Sequence, residues 1–286
     1  MEPEIIINYD CEIGENPLWH PLEKKLYWLD IAKGRIFWFE PSTGKHAMCY
    51  EDIPVGGFTI QQDGALLLFR TKGEVVKWHN GNITTIIKNI PGEEELRFND
   101  VIADPNGRVF CGTYSEAGKQ GRLYRLDTDG SITKILDSLG CSNGMGFTPD
   151  RKQMYHTDTR ANNIYIFDYN RATGHISNQR IFLKVPPTEH GGPDGMTVDS
   201  KGYVWSARWG GWVLVRYTPH GVEESRIHFP AFAVSSVTFG GDDLMDIYVT
   251  SAGGNDKKAN GSGAGALFRI RLGIKGVPEF FSRIQL

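Results

Sequence analysis

The sequence predicts an all-β fold, a six-bladed β-propeller whose four-stranded antiparallel blades surround a central channel. The main observation is a short phrase that occurs six times, with intervals of 41, 43, 44, 51 and 41 residues between successive copies. A repeat of this length, built from short strands, is typical of propeller blades. The 34 glycines and the 12% aromatic content agree with many strands and turns. The copies begin at Glu15, Gly56, Asn99, Asn143, Asp194 and Ser235.

Each copy is followed by a similar series of strands. The opening phrase forms the inner strand, a second strand follows a turn, as in KLYWLDI from Lys25, and a third follows that, as in RIFWFEP from Arg35. Apolar residues alternate along these segments, and Gly, Asn or Asp occupy the turns, a pattern typical of half-buried antiparallel strands. A less regular fourth strand is predicted at HAMCYE from His46 and at ITTIIKN from Ile83.

We expect a single domain over residues 1–286, because no Pro- or Ser-rich linker divides the chain. The segment EIIINYD, from Glu4 to Asp10, precedes the first copy. It should pair as the outer strand of the last blade, beside ALFRIRL or the C-terminal EFFSRI, and so close the ring. The longest interval places its extra residues between Asn170 and Gly192. There we expect a long loop that overhangs the channel mouth and could act as a lid.

The composition excludes several classes of partner. The chain has 31 Lys and Arg against 34 Asp and Glu and no basic stripe, so we expect neither nucleic acid nor a membrane surface to bind. No apolar run approaches the length of a membrane helix, and the N-terminus lacks the basic segment of a secretory signal. The four cysteines have no metal or redox spacing. We therefore expect a cytoplasmic protein, and the sequence leaves its oligomeric state open.

Four of the six copies begin with an oxygen-bearing side chain, namely Glu15, Asn99, Asn143 and Asp194. Residues at one position of a radial repeat lie at one height in the channel, so these four should converge. Two carboxylates and two amides suit one divalent cation, with Ca²⁺ first and Zn²⁺, Mn²⁺, Mg²⁺ or Fe²⁺ as further candidates. Neither His nor Cys shares this position, which argues against a conventional structural zinc site. The alternative is that these residues only form turns.

Two further features concern the surroundings of this site. Arg97 lies two residues before Asn99, so in an extended strand it projects to the same side and could hold a substrate hydroxyl or an oxyanion; a surface arginine is the alternative. Gly56 should leave one side of the metal open to water or substrate. The second strands carry another set at one position, for which we expect ion pairs and hydrogen bonds between blades rather than catalysis: Asp30, Arg70, Thr113, Asp158, Arg208 and Ser251.

The chain resembles the regucalcin/gluconolactonase family, also known as the senescence marker protein and luciferin-regenerating-enzyme-like family. The motifs that carry the resemblance occur in the family's order and span essentially the whole chain. The chain looks closest to the bacterial sugar-lactonase branch, in which a WGGW segment is usual. The motifs are GENPLW from Gly14, RFND from Arg97, SNGMGF from Ser142, PDGMTVD from Pro193 and ARWGGW from Ala207.

The resemblance implies a propeller that binds one divalent metal ion in its channel. By motif, Glu15, Asn143 and Asp194 occupy the positions of direct ligands. Asn99 occupies a position that is often water-mediated or in contact with substrate. The metal would let the two carboxylates remain ionised at a spot where each would otherwise raise the pKa of the other.

The resemblance also implies an activity, the metal-dependent hydrolysis of sugar lactones. The substrates would be aldonolactones such as glucono-, xylono- or arabinono-lactone, with the metal polarising the carbonyl and Asp194 activating water. Arg97 matches the family's substrate-binding arginine, and Glu116 is the candidate for its substrate-contacting glutamate. Two alternatives stay open. An organophosphate (phosphotriester) hydrolase would have an apolar channel mouth, and a non-enzymatic metal-binding propeller would have a saturated ligand set.

Overall fold

A computed structural model of the protein describes residues 2–114 and 120–285. These residues form 24 β-strands and no helix, and so none that could cross a membrane. The strands make six four-stranded antiparallel sheets. Each inner strand packs beside the inner strands of the preceding and following sheets, which arranges the sheets in a closed ring. The predicted six-bladed propeller is confirmed.

The first three blades follow the chain from the channel outward. Blade 1 contains β2 (Gly14–His20), β3 (Lys25–Asp30), β4 (Arg35–Glu40) and β5 (Lys45–Glu51). Blade 2 contains β6 (Val55–Ile60), β7 (Leu66–Arg70), β8 (Val75–His79) and β9 (Asn82–Ile87). Blade 3 contains β10 (Arg97–Ala103), β11 (Val109–Tyr114), β12 (Gly121–Leu126) and β13 (Ile132–Leu139).

The last three blades repeat the arrangement, except that the sixth borrows its outer strand from the N-terminus. Blade 4 contains β14 (Ser142–Phe147), β15 (Gln153–Asp158), β16 (Asn163–Asn170) and β17 (His175–Lys184). Blade 5 contains β18 (Gly192–Val198), β19 (Val204–Trp209), β20 (Val213–Tyr217) and β21 (Glu223–His228). Blade 6 contains β22 (Ala233–Gly240), β23 (Asp246–Ala252), β24 (Ala266–Arg271) and β1 (Glu4–Asn8).

The ring closes where the N-terminal strand β1 pairs with β24, with Ile5 opposite Phe268. This is the predicted closure, and of the two candidate partners it is the ALFRIRL strand. The other candidate, EFFSRI, bridges neighbouring blades instead. The Ser282 amide donates to the carbonyl of Ile60, and the Arg283 amide donates to the carbonyl of Gly107, both at 2.8 Å. This segment therefore crosses the end of the channel at which the inner strands finish.

The predicted long loop between Asn170 and Gly192 was wrong. Ten of these residues form an outer strand, β17 (His175–Lys184), and the others form the turn at 171–174 and the short irregular segment 185–191. Two register shifts in its pairing with β16 absorb the extra residues. The surplus therefore lengthens an outer hairpin of blade 4 and does not build a long lid over the channel.

The hydrophobic core lies between neighbouring blades, and each of the six interfaces has its own cluster. Between blades 5 and 6, for example, Trp205 and Leu214 pack in one cluster with Val237, Phe239 and Val249. Burial of apolar surface at these interfaces stabilises the ring by roughly 25 cal/mol for each Å² removed from water. Because the interfaces supply the core, the inner strands can present polar side chains to the channel.

The charged residues of the second strands hold the segments that enter the blades. Asp30 accepts hydrogen bonds from the backbone amides of Glu12 and Ile13, at 3.1 and 3.0 Å. Asp158 accepts an equivalent pair of bonds in blade 4. The expected structural role is therefore present. These bonds tie blades 1 and 4 to their own entering segments, however, rather than linking the second strands of different blades.

Candidate active site

A β-bulge interrupts the inner strand of every blade at the position of the repeated phrase. In blade 1 the register against the second strand shifts between Glu15 and Leu18, and in blade 5 it shifts between Pro193 and Met196. The other four blades have the corresponding shift. A bulge kinks a strand and changes the direction of the side chains beside it. It thereby lets residues at the strand start face the channel.

The strand starts of blades 1, 3, 4 and 5 line a cavity of about 270 Å³. The four predicted metal ligands line it together, and each is between 2% and 6% exposed. Arg97 lines the same cavity. The structure thus brings together five of the six predicted site residues, and the sixth, Glu116, lies outside the described residues. The four ligands are Glu15, Asn99, Asn143 and Asp194.

Two buried oxygens in this cavity have no hydrogen-bond donor among the residues that the structure describes. Asn143 donates through Nδ2 to the hydroxyl of Thr159 at 2.9 Å, which leaves its Oδ1 without a partner. Oδ2 of Asp194 is also buried and unpartnered. A buried acceptor without a partner costs free energy. Two such oxygens on residues that line one cavity are the kind of ligand that an oxygen-preferring cation binds.

Asn99 differs from Asn143 because both ends of its amide are already bonded. Its Oδ1 accepts from Nη1 of Arg97 at 2.7 Å, and its Nδ2 donates to the carbonyl of Ser142 at 2.9 Å. This contrast agrees with the difference that the family resemblance implies between direct ligands and an indirect position.

The carboxylates of the site resist ionisation in the absence of a cation. Burial raises the pKa of Glu15 well above its usual range, and the charges of Asp194 and Asp100 raise it further. Burial and the charge of Asp100 likewise raise the pKa of Asp194, while the Asn143 amide and Arg97 lower it. Burial raises the pKa of Asp100 to about 7. A bound dication would reverse this balance and favour the ionised carboxylates.

Asp100 is a site residue that the sequence did not predict. It is 8% exposed and lines a smaller cavity of about 50 Å³ deeper in the channel. Strict alternation along a strand would turn it away from the channel, since its neighbour Asn99 faces inward. The register shift between Phe98 and Val101 breaks that alternation. Its place in the RFND motif was the one feature of the sequence that could have pointed to Asp100 as a site residue.

Gly56 and Ser235 share the repeat position but do not line the site cavity. A Cβ at Gly56 would lie 1.8 Å from the carbonyl oxygen of Phe98, so glycine lets the backbones of blades 2 and 3 approach closely. The Ser235 hydroxyl bonds to that of Thr250 at 3.0 Å. The expectation that Gly56 opens the metal to substrate was therefore wrong.

These shifted pKa values predict how the metal-free protein responds to pH. The pKa of Asp100 is about 7 in the fold and about 3.9 in an unfolded chain, so the folded state binds the extra proton between these values. With chelator present, the contribution of Asp100 should make the melting temperature fall as the pH rises from about 4 to 7. The melting temperature of Asp100→Asn should fall less steeply over the same pH range in a thermal unfolding series. Equal slopes in the two proteins would contradict the assignment.

The sequence matches the model of the SMP-30/Gluconolactonase/LRE-like region over residues 13–253. The chain belongs to this family. Its matched region includes Glu15, Asn143 and Asp194 as well as the Arg97 motif. The resemblance based on motifs is therefore confirmed.

Relatives in the SMP-30/gluconolactonase family extend over nearly the whole chain. The pentonolactonase XacC of Haloferax volcanii is 45% identical over 288 residues, 98% of each chain. The regucalcin of Xenopus laevis is 31% identical over 96% of each chain. Among solved structures, a luciferin-regenerating enzyme superposes with a TM-score of 0.89 at 27% identity, covering 99% of this chain and all of its own.

Proposed function

We propose that this protein is a metal-dependent lactonase that opens sugar lactones, with pentonolactones as the first candidates. The observation that carries the proposal is that Asn143 and Asp194, which both line the channel cavity, each have a buried oxygen without a partner among the described residues. The 45% identical relative is a pentonolactonase, which agrees with the predicted class of lactone-hydrolysing enzyme. A purely metal-binding role would call for a saturated ligand set, whereas these residues border a cavity of about 270 Å³ that has room for a substrate.

Glu15, Asn143 and Asp194 would hold the metal ion. Their donors are all oxygens, which favours a hard cation, and Ca²⁺ is our first candidate among divalent ions. Asn99 would support the site indirectly because Arg97 and Ser142 already engage its amide.

The chain's own groups account for the proton transfers of hydrolysis. When bound, a divalent cation polarises a carbonyl and stabilises negative charge on its oxygen. Asp194 is the general base, since its buried carboxylate faces the cavity and can take a proton from water. The water oxygen then bonds to the lactone carbonyl carbon. The bond from that carbon to the ring oxygen breaks, and the proton that Asp194 took from water passes to the ring oxygen, which yields the open hydroxy acid and restores the carboxylate.

Arg97 would position the substrate. Its guanidinium lies 4.9 Å from the ring centroid of Tyr114, and its Nη1 also donates to the carbonyl of Phe98 at 3.1 Å. These contacts hold the planar group at the cavity wall, where its donors can orient a hydroxyl or carbonyl oxygen of the lactone.

We expect Arg97→Ala to lower kcat/KM by about 10- to 100-fold while metal content stays near one ion per chain. An arginine cannot ligate a cation, so its loss should affect orientation rather than occupancy. Lysine at this position should rescue only partly, because it lacks the planar fork. The test combines steady-state kinetics with elemental analysis. If Arg97→Ala loses as much metal as Glu15→Gln, Arg97 supports the fold of the site and does not position substrate.

The experiment for the proposed activity is a pH-indicator assay with a panel of aldonolactones, including xylono-, arabinono- and glucono-lactone. A phosphotriester belongs in the same assay. Ile13, Ile31 and Trp209 give the cavity one apolar wall, which is the feature expected of an organophosphate hydrolase. Turnover of the sugar lactones supports the proposal. Turnover of the phosphotriester alone would replace it with the second activity.

A further inference from the structure

We propose that Trp209 is the stacking surface for one face of the lactone ring and that it determines which sugar epimers the site accepts. This inference rests on the proposed lactonase function and deepens it. Trp209 lines the cavity and is 39% exposed. The described residues include all seven tryptophans of the chain, and Trp209 is the exposed one among them. An indole that is exposed inside a polar cavity offers a flat apolar surface on which a bound ring can stack.

The backbone of blade 5 places Trp209 beside the proposed base. Trp209 ends β19 and pairs with Gly192, two residues before Asp194 on β18. One blade therefore supplies both the indole and the carboxylate. A lactone whose carbonyl lies near Asp194 would extend its ring toward the indole.

Glycines fix the loops that present this side chain. A Cβ on Gly191 would lie 2.7 Å from the carbonyl oxygen of Trp209 and 2.6 Å from the amide nitrogen of Gly211. A Cβ on Gly211 would lie 2.7 Å from the carbonyl oxygen of His190. The two loops can therefore pack backbone against backbone. This close packing gives Trp209 a rigid support, which a stacking surface requires to bind at low entropic cost.

The cavity lining combines hydrogen-bonding and apolar side chains. Blades 3 and 4 contribute hydrogen-bond donors, among them Arg97 and Arg160, whose guanidinium groups lie 4.9 and 5.1 Å from the ring centroid of Tyr114. Blades 5 and 1 contribute the apolar side chains of Trp209 and Ile31 beside the carboxylates of Asp194 and Glu15. A sugar lactone is two-sided, because its hydroxyls project from some positions while the ring carbons expose C–H groups. The electron-rich face of an indole attracts such C–H groups.

This arrangement predicts discrimination between epimers. Xylono-, arabinono-, ribono- and lyxono-1,4-lactone share the same reacting carbonyl and differ in which ring face carries each substituent. A hydroxyl that points at the face of the indole loses its hydrogen bonds to water and finds no conventional acceptor on the ring. Epimers with C–H groups on that face should therefore have the lower KM.

The test measures KM and kcat for these lactones in the metal-loaded wild type, Trp209→Ala and Trp209→Phe. In Trp209→Ala, the KM of the preferred epimer should rise about tenfold, the size expected for one lost aromatic stacking contact. Its kcat should change by less than about threefold, because the indole touches no reacting atom. The range of KM values across the epimers should narrow in Trp209→Ala. Trp209→Phe should retain most of the wild-type range. Trp212→Phe, in the same loop but outside the cavity, should behave like wild type.

A second readout does not depend on turnover. Binding of the open product, an aldonate, should change the tryptophan fluorescence of the wild type and leave that of Trp209→Phe unchanged. An unaltered epimer spread in Trp209→Ala would overturn the inference while leaving lactonase activity intact. An equal rise in KM for every epimer would also overturn it, since that result indicates lost cavity shape. If the wild type opens none of the lactones, the proposed function fails and the inference fails with it.

Discussion

Replacing Asp194 with asparagine should lower kcat for lactone hydrolysis by about 100-fold or more, the range typical for loss of a general base. Asparagine keeps an oxygen that can face a cation but removes both the negative charge and the proton acceptor. Asp194 is 2% exposed, and its Oδ2 has no hydrogen-bond partner among the described residues. We therefore expect metal binding to weaken but remain measurable.

The measurement is kcat at saturating metal, with metal content determined on the same sample. Saturating metal separates the loss of the base from the weaker binding of the ion, because the wild type and Asp194→Asn then both carry the ion. The alternative is that Asp194 only caps the turn of the PDG segment, a role that asparagine also fills. Activity within a few-fold of the wild type would establish that alternative and exclude Asp194 as the base.

Glu15→Gln should weaken metal affinity by about 100-fold or more, because it removes one of the two formal negative charges among the proposed ligands. Activity at low metal concentration should disappear and return in part at high concentration. This pattern differs from that of Asp194→Asn, in which high metal concentration should not restore kcat. The difference separates a residue that only holds the ion from one that also takes a proton.

Glu12→Gln is the matched control for this change. Glu12 is three residues away in the same segment, pairs with Lys33 at 3.1 Å and does not line the cavity. Glu12→Gln therefore removes an identical charge at almost the same place in the chain. Isothermal titration of the metal into both chelated proteins gives the affinities. Equal affinities in Glu12→Gln and Glu15→Gln would contradict a ligand role for Glu15.

The repeat spacing was enough to predict the fold and the residues around the channel. In a radial repeat, equal positions in the sequence become equal heights in space, so Glu15, Asn143 and Asp194 could be grouped without any contact information. The same reasoning gave a wrong prediction at Gly56, which was expected to leave one side of the metal open. The spacing identifies a position in the blade, but it does not reveal that the neighbouring backbone at Phe98 fills the space beside the glycine.

Two other features depend on local irregularity that periodicity does not encode. The bulge after Phe98 buries Asp100 beside the channel although strand alternation places it on the other face. Strand β17 (His175–Lys184) was taken for loop because it lies at the outer edge of blade 4 and most of its side chains are exposed. An exposed edge strand has little hydrophobic alternation, so its sequence resembles that of a loop. The single domain over residues 1–286 stays a prediction.

The most direct test of the central claim is turnover of a pentonolactone before and after complete removal of divalent metal, with add-back of single ions. The account predicts no enzymatic turnover in the chelated protein once elemental analysis finds no metal. Ca²⁺, Mn²⁺, Zn²⁺ or Fe²⁺ should then restore activity to different degrees, because geometry rather than ligand softness selects the ion at an all-oxygen site. Undiminished turnover by protein with a measured metal content of zero would contradict the metal-dependent mechanism.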